Sequence, residues 1–235
     1  KVIEETHLGE LAGVKVLFLP RVLVMSAEVE SALEKFVQGG GVLVAESECG
    51  AWTPEGIWRY PEERWLAKLT GVRESGRRML SRSNANIYFG AKVLPLSLFQ
   101  WLTPLIGEAD NLSPYDDLGV PSSLFTRSAV GPGLVYTAAS FLGNAVLPEP
   151  SRGFDQLVMM INSFAGVIPP VKIVSSSQPD TICQVTVATL NGKKLVSILV
   201  PEGEQTLKVR FADGLLTSSE MQDVLTGRLV MVSAD

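Results

Sequence analysis

Three short runs, Val14 to Leu19, Val42 to Ala45 and Leu134 to Ala139, are almost entirely apolar. Such runs suit strands buried on both faces of a parallel sheet. Between the first two, Val29, Ala32, Leu33, Phe36 and Val37 recur at i, i+3, i+4, i+7 and i+8, one face of an amphipathic helix. Ser26 offers its N-cap, and Glu28 sits in the first turn, where the helix dipole favours an anion. Gly39-Gly40-Gly41 ends it, since a left-handed C-cap is open to glycine. Strand, helix, glycine stop and strand make a βαβ unit, right-handed as nearly all such units are. A second amphipathic helix runs from Phe154 to Phe164, with Phe154, Leu157, Val158 and Ile161 on one face and Gly166 as its stop. A shorter one spans Glu62 to Leu69 and stops at Gly71.

Elsewhere the pattern is different. Val72 to Phe89 reads as extended strands facing solvent, with Arg73, Arg77, Arg78 and Arg82 scattered through them. Pro95, Pro104, Pro114 and Pro121 make the next stretch loop-rich. Gly131-Pro132-Gly133 is a turn into the third apolar run. Val167-Ile168-Pro169-Pro170 reads as a linker, because two prolines stop a helix and donate no ladder bonds. After Val171 the apolar period changes from helical to alternating: Cys183, Val185, Val187 and Thr189, then Leu207, Val209 and Phe211. Asn191-Gly192 is the favoured pair for a type I′ hairpin, with the chain returning from Lys194 to Val200. Asp223 to Gly227 is a turn before a last strand, Leu229 to Val232. The expected architecture is a doubly wound α/β domain over residues 1–169, followed by a small antiparallel β-sandwich over residues 170–235.

Composition narrows the chemistry. At 46% hydrophobic and 19% charged, the chain has enough apolar material for a core and is not a disordered segment. A net charge of −5 argues against nucleic-acid binding, which needs concentrated positive charge. No apolar run approaches the about 18 residues of a membrane span, and the first residues resemble neither a signal nor a transit peptide. Cys49 and Cys183 are too few for a disulfide framework or a thiolate zinc site. His7 is the only histidine, which removes most metal sites and every Ser-His or Cys-His mechanism that needs a later one. No cofactor is expected. The compartment stays open, with a cytoplasmic one favoured.

The order of elements resembles a known module. Val14 to Pro20, then Ser26-Ala27-Glu28, then Leu33-x-x-Phe36-Val37-x-Gly39-Gly40 is similar to the class I glutamine-amidotransferase-like domain that forms the trimerisation module of glycoside hydrolase family 42 β-galactosidases. Val2-Ile3-Glu4-Glu5-x-His7-Leu8 resembles the segment before that strand. Leu66-Ala67-x-Leu69-x-Gly71-Val72 resembles the helix after the strand-end loop, and Gly131 to Phe141 a late strand and turn. The tail, with Asp223-x-x-Thr226-Gly227, is similar to the small C-terminal β-domain of those enzymes. The likeness covers most of the chain and is weak from Arg73 to Val130. It implies a flavodoxin-like α/β domain, homo-oligomerisation as a trimer, and catalytic carboxylates on a separate (β/α)₈ barrel, which this chain is too short to hold. It also implies that the first strand and helix of the α/β domain precede Val2, so that the chain is a fragment, a processed product or a separately encoded subunit.

Three candidate sites follow. Cys49 lies after a buried strand, roughly where amidotransferase-like folds place a nucleophile. No histidine follows to activate it, Glu46 and Glu48 would raise its pKa, and its flanks miss Gly-x-Cys-x-Gly. A glycosidase-like carboxylate pair could be sought in Asp116-Asp117, Glu62-Glu63, or Glu46, Glu48 and Glu55, but adjacent carboxylates tend to point apart and suit solvated faces and caps. The aromatic loop is richest. Trp52, Trp58 and Tyr60, with Trp65 beyond, could present flat faces to a pyranose, with Arg59 or Glu55 supplying hydrogen bonds. The same aromatics could form a homo-oligomer interface or dock the catalytic barrel of a parent enzyme, or plug a satellite core. The leading expectation is a non-catalytic assembly part of a glycoside hydrolase. A free-standing carbohydrate-binding or scaffolding module is the alternative, and a Cys- or Glu-dependent hydrolase ranks last.

Overall fold

β1 (Val16–Leu19), α1 (Ala27–Gln38) and β2 (Val42–Ala45) form the βαβ unit that the apolar runs predict. The strands pair in parallel from Val16 opposite Val42 to Leu19 opposite Ala45. Ser26 caps the helix, its hydroxyl accepting the Val29 N–H at 3.3 Å. Gly40 supplies the left-handed residue after it, at φ 97°. This computed structural model describes residues 2–143, 152–176, 184–199, 207–215, 220–223 and 227–231. The chain divides into two compact units, Lys1–Val167 and Ile168–Asp235.

In the first unit α2 (Trp65–Thr70) follows a 3₁₀ turn at Pro61–Glu63 and ends on Gly71 at φ 72°. Then come nine strands: β3 (Val72–Glu74), β4 (Arg78–Phe89), β5 (Lys92–Leu102), β6 (Leu105–Gly107), β7 (Asp110–Asn111), β8 (Pro114–Asp117), β9 (Val120–Ser123), β10 (Phe125–Val130) and β11 (Gly133–Ala138). α3 (Arg152–Phe164) follows. The main sheet has the order β1-β2-β11-β10-β7; the first three strands are mutually parallel, β10 runs antiparallel to β11, and β7 antiparallel to β10. A second sheet has the order β3-β6-β9-β8, and β4 and β5 make a long hairpin.

Alternation along the buried strands assigns the two faces of the main sheet. Leu43, Ala45 and Val135 pack with Leu33 and Val37 of α1 and with Trp65 and Leu66 of α2. Val42, Val44, Tyr136 and Ala138 pack with Ala85, Ile87, Leu94, Leu96 and Leu98 of the hairpin and with Leu157 and Ile161 of α3. A doubly wound sheet would carry helices on both faces. Here a β-hairpin takes much of the second face, so the unit is a mixed α/β assembly dominated by strands.

The stretch from 72 to 130 therefore departs from expectation. Val72, Glu74, Ala85 and Ile87 are buried rather than solvent-facing, because each alternates with an exposed polar neighbour. Residues 92–123 form strands despite their prolines. Pro95 lies in the two-stranded hairpin and Pro114 on the edge strand β8, while Pro121 lies in β9 two residues before Ser123, its contact with β6.

The second unit contains β12 (Val171–Ser176), β13 (Gln184–Leu190), β14 (Lys193–Leu199), β15 (Leu207–Phe211), β16 (Glu220–Gln222) and β17 (Leu229–Met231). They pair antiparallel as β12–β15, β13–β14 and β16–β17. Asn191 and Gly192 take φ 51° and 76°, the signature of a type I′ turn. The antiparallel strands expected here are present, among the described residues, as three separate two-stranded ladders; Cys183, Val200 and Val232 lie outside those residues.

One close approach carries the α1–sheet contact. A Cβ on Gly133 would meet the carbonyl oxygens of Val37 and Gly41, both backbone atoms that cannot turn aside. Gly133→Ala is expected to lower stability in urea denaturation by more than Ser26→Ala, whose lost cap costs about 1 kcal/mol. Leu157→Ala should cost about 3 kcal/mol. Equal losses for Gly133→Ala and Ser26→Ala would contradict the packing described.

Candidate functional site

The chain leaves β2 at the C-terminal end of its strand, the edge where open α/β sheets form their crevices. Glu46, Ser47, Glu48 and Cys49 are all buried there. Glu48 adopts φ 65°, a left-handed conformation that a side chain other than glycine rarely takes. The strained elbow is thus at Glu48, one residue before the cysteine singled out from the sequence. Cys49 instead points inward, its Sγ lying 3.6 Å from the Leu19 carbonyl oxygen. Burial pushes its thiol up to about 12, and Glu46 and Glu74 add to the rise. A thiol held neutral is not a nucleophile.

Beyond the elbow the loop is stitched to the connection between β1 and α1. The Gly50 and Trp52 N–H groups each donate at 2.9 Å, to Val22 and Leu23, and Met25 N–H donates to the Trp52 carbonyl at 3.1 Å. Arg59 N–H returns to the Ala51 carbonyl at 2.9 Å, which brings Trp58 back against Trp52. The two indoles meet edge to face, centroids 5.0 Å apart and planes at 70°. Each remains 38% exposed.

Beneath them lies a buried ionic network. Arg64 stacks its guanidinium 4.8 Å from the Trp58 ring centroid and donates to Glu74 Oε2 at 2.5 Å. Glu74 Oε1 accepts the Glu48 N–H at 2.6 Å, so this carboxylate pins the strained elbow. Glu48 in turn receives a two-pronged bond from Arg77, Nε at 2.9 Å and Nη2 at 2.5 Å. Arg77 stacks 4.7 Å over Trp101. Glu48, Trp52, Trp58, Arg64, Glu74 and Arg77 line a cleft of about 400 Å³, completed by Pro61, Gly76 and Thr103.

Two of the five residues proposed from the sequence for sugar contact, Trp52 and Trp58, line this cleft; the other three do not. Arg59 is committed to Glu30 of α1 and to the Gly50 carbonyl at 3.3 Å, which makes it a brace between loop and helix. Glu55 is exposed; a hydrogen bond from Thr53 is the main cause lowering its carboxyl below the ordinary range. Tyr60 is exposed outside the lining, and its N–H donates to Glu63 at 3.2 Å. Trp65, the first residue of α2, is buried in the core with Leu33, Val37 and Leu43.

The other carboxylates have structural duties. Asp117 takes a fork from Arg78 at 3.1 and 2.7 Å and a hydrogen bond from Ser75 at 2.9 Å. Asp116 accepts the Gly119 N–H at 2.6 Å. Glu46 accepts the Gly143 N–H at 3.1 Å, while burial raises its carboxyl pKa against that bond and the nearby Arg21. Sequence reasoning missed Arg64, Glu74, Arg77 and Thr103. The available signal was the alternation Val72-Arg73-Glu74, which puts Glu74 on the same side of the strand as the apolar Val72.

Neither a family model nor a curated protein matches this sequence. Solved structures do. A β-galactosidase from Bacillus circulans sp. alkalophilus matches 94% of this chain and 31% of its own, at TM-score 0.70 and 20% identity. The fold is GH42-related. Gan42B, a GH42 β-galactosidase from G. stearothermophilus, matches 92% of this chain and 29% of its own, at TM-score 0.64 and 17% identity. The β-galactosidase from Rahnella sp. R3 matches 84% and 32%, at TM-score 0.61 and 15% identity. This chain spans less than a third of the length of these GH42-related structures.

Two outcomes test this geometry. In a Cys183→Ser background, Cys49 should resist an aromatic disulfide reagent at pH 8 until the protein is denatured; rapid reaction in the folded state would contradict the buried, neutral thiol. Glu46 carries a pKa raised by burial, so the folded state holds its proton more tightly than the unfolded one. Its contribution to stability therefore falls as pH rises from the ordinary carboxyl value of 4.5 through the raised folded value. Glu46→Gln should remove that slope from a pH series of urea midpoints, and an unchanged profile would contradict it.

Proposed function

We propose that this chain is a non-catalytic assembly and accessory part of a glycoside hydrolase of the GH42 β-galactosidase type. The observation that carries the proposal is the likeness over 94% of the chain to under a third of a β-galactosidase. The first unit is read as an amidotransferase-like module whose elbow has lost its chemistry. In support, its strained position carries Glu48, already bonded by Arg77, and the adjacent thiol is buried. The bond-breaking groups are assigned to a separate barrel.

The assembly role falls to the rim of the aromatic loop. Ile57 and Tyr60, each 62% exposed, extend an apolar surface from Val24, Trp52 and Trp58. Exposed aromatic surface of this kind suits an interface between copies of the chain, a trimer by resemblance, or with the catalytic barrel. The free-standing carbohydrate-binding module remains the second reading, favoured by the indole-lined cleft.

Light scattering on the purified chain tests the assembly role. An oligomer is expected, and an Ile57→Glu, Tyr60→Glu double variant should shift it towards monomer by placing charge in the interface. A strict monomer at high concentration would contradict it. The isolated chain should also fail to hydrolyse a nitrophenyl β-galactoside or glutamine, and turnover of either would overturn the non-catalytic reading.

A further inference from the structure

We infer that the cleft between Trp52, Trp58, Arg77 and Thr103 is a subsite for a single neutral pyranose ring. This deepens the accessory reading and rests on it for the class of enzyme served, while the physical case comes from the cleft. Its volume of about 400 Å³ lies at the lower end of the range for small-molecule sites, which suits one ring rather than a chain of them.

The walls select the shape of the occupant. Two half-exposed indoles at 70° make a corner rather than a slot. A planar base would stack on one ring and leave the other unused. A chair-shaped sugar presents axial C–H groups to one surface and equatorial ones to the other. The corner is also rigid, because Arg64 backs the Trp58 ring and is itself held by Glu74, so little ordering cost falls on binding.

The charges select neutrality. The floor carries two guanidinium groups, Arg64 and Arg77, and two carboxylates, Glu74 and Glu48, each joined to its opposite. The two pairs balance, so no uncompensated charge is left on the floor to hold an ion of either sign. A hydroxyl suits the remaining capacity. Arg77 is 42% exposed and, among the described residues, engages Glu48 through Nε and Nη2, which leaves Nη1 to donate. Thr103 closes the wall: it is 2% exposed and its hydroxyl donates to the Ala139 carbonyl at 3.2 Å. A neutral group that accepts from Arg77 is what a sugar hydroxyl supplies.

The test is titration of the full chain with methyl β-galactoside and methyl β-glucoside, read by tryptophan fluorescence and ligand-observed saturation-transfer NMR. Glucuronate serves as the anionic control. Light scattering is run on the same samples. Saturable binding of a neutral pyranoside is expected, weakened about tenfold or more by Trp58→Ala. Trp52→Ala, which leaves the Arg64 stack in place, should weaken it comparably should the first variant fail to fold. Arg77→Lys, which keeps charge opposite Glu48 but loses the fork, should weaken sugar binding while leaving the protein folded by circular dichroism. Absence of saturable binding in folded protein overturns the subsite, as does glucuronate binding as tightly as the neutral sugars, or folded tryptophan variants that bind unchanged. If the chain is an oligomer that binds no sugar, the subsite fails and the assembly reading stands. If it is a monomer that binds sugar, the reverse holds.

Discussion

Two carboxylates lie beneath an aromatic loop, and each is bonded to a guanidinium group, Glu74 to Arg64 and Glu48 to Arg77. Removing one partner from such a pair leaves an uncompensated charge and costs about 3–5 kcal/mol. Here the cost would reach further than the pair. Glu74 accepts the N–H of Glu48, and Glu48 is the residue forced into a left-handed turn where the chain leaves β2. Arg64 joins Glu74 to the underside of Trp58. The elbow, the loop and the start of α2 are thus held by one set of charges.

That arrangement leaves the elbow at the edge of the sheet without an activated nucleophile. An elbow is useful to an enzyme when it exposes a nucleophile beside a base. Here the strained residue is a carboxylate already bonded by Arg77, and the next residue is a thiol kept neutral by burial. What remains accessible above the network is the pair of indoles and the exposed face of Arg77. Such a surface is what the proposed accessory role requires.

The sequence was most legible where one physical signal acted alone. The βαβ unit followed from two fully apolar runs and an amphipathic helix between them, and the Ser26 cap and the Asn191-Gly192 turn followed from local backbone chemistry. Residues 72–130 were not legible, because the strands there are buried on one face and carry arginines and prolines on the other. Arg78 looked solvated yet pairs with the buried Asp117, and Pro114 sits on an edge strand where it breaks no bond. The site was half legible. Clustering of tryptophans marked Trp52 and Trp58, but Arg59 and Glu55 stood close in sequence while the network was built from Glu74 and Arg77, brought in by strands whose pairing no local pattern announces. Cys49 attracted attention by its type; the backbone dihedral, invisible in sequence, moves the elbow to Glu48.

The account turns on Glu74 acting as the counter-ion of Arg64, and a double-mutant cycle measures that directly. Arg64→Met, Glu74→Leu and the combined variant would be compared by urea denaturation, with near-ultraviolet circular dichroism reporting the Trp52–Trp58 pair. Each single change should destabilise strongly and weaken the indole signal, while the combined variant recovers much of both, giving a coupling of about 1–3 kcal/mol. Additive losses, with the indole signal intact in the single variants, would mean that the loop stands without the pair and would contradict the account.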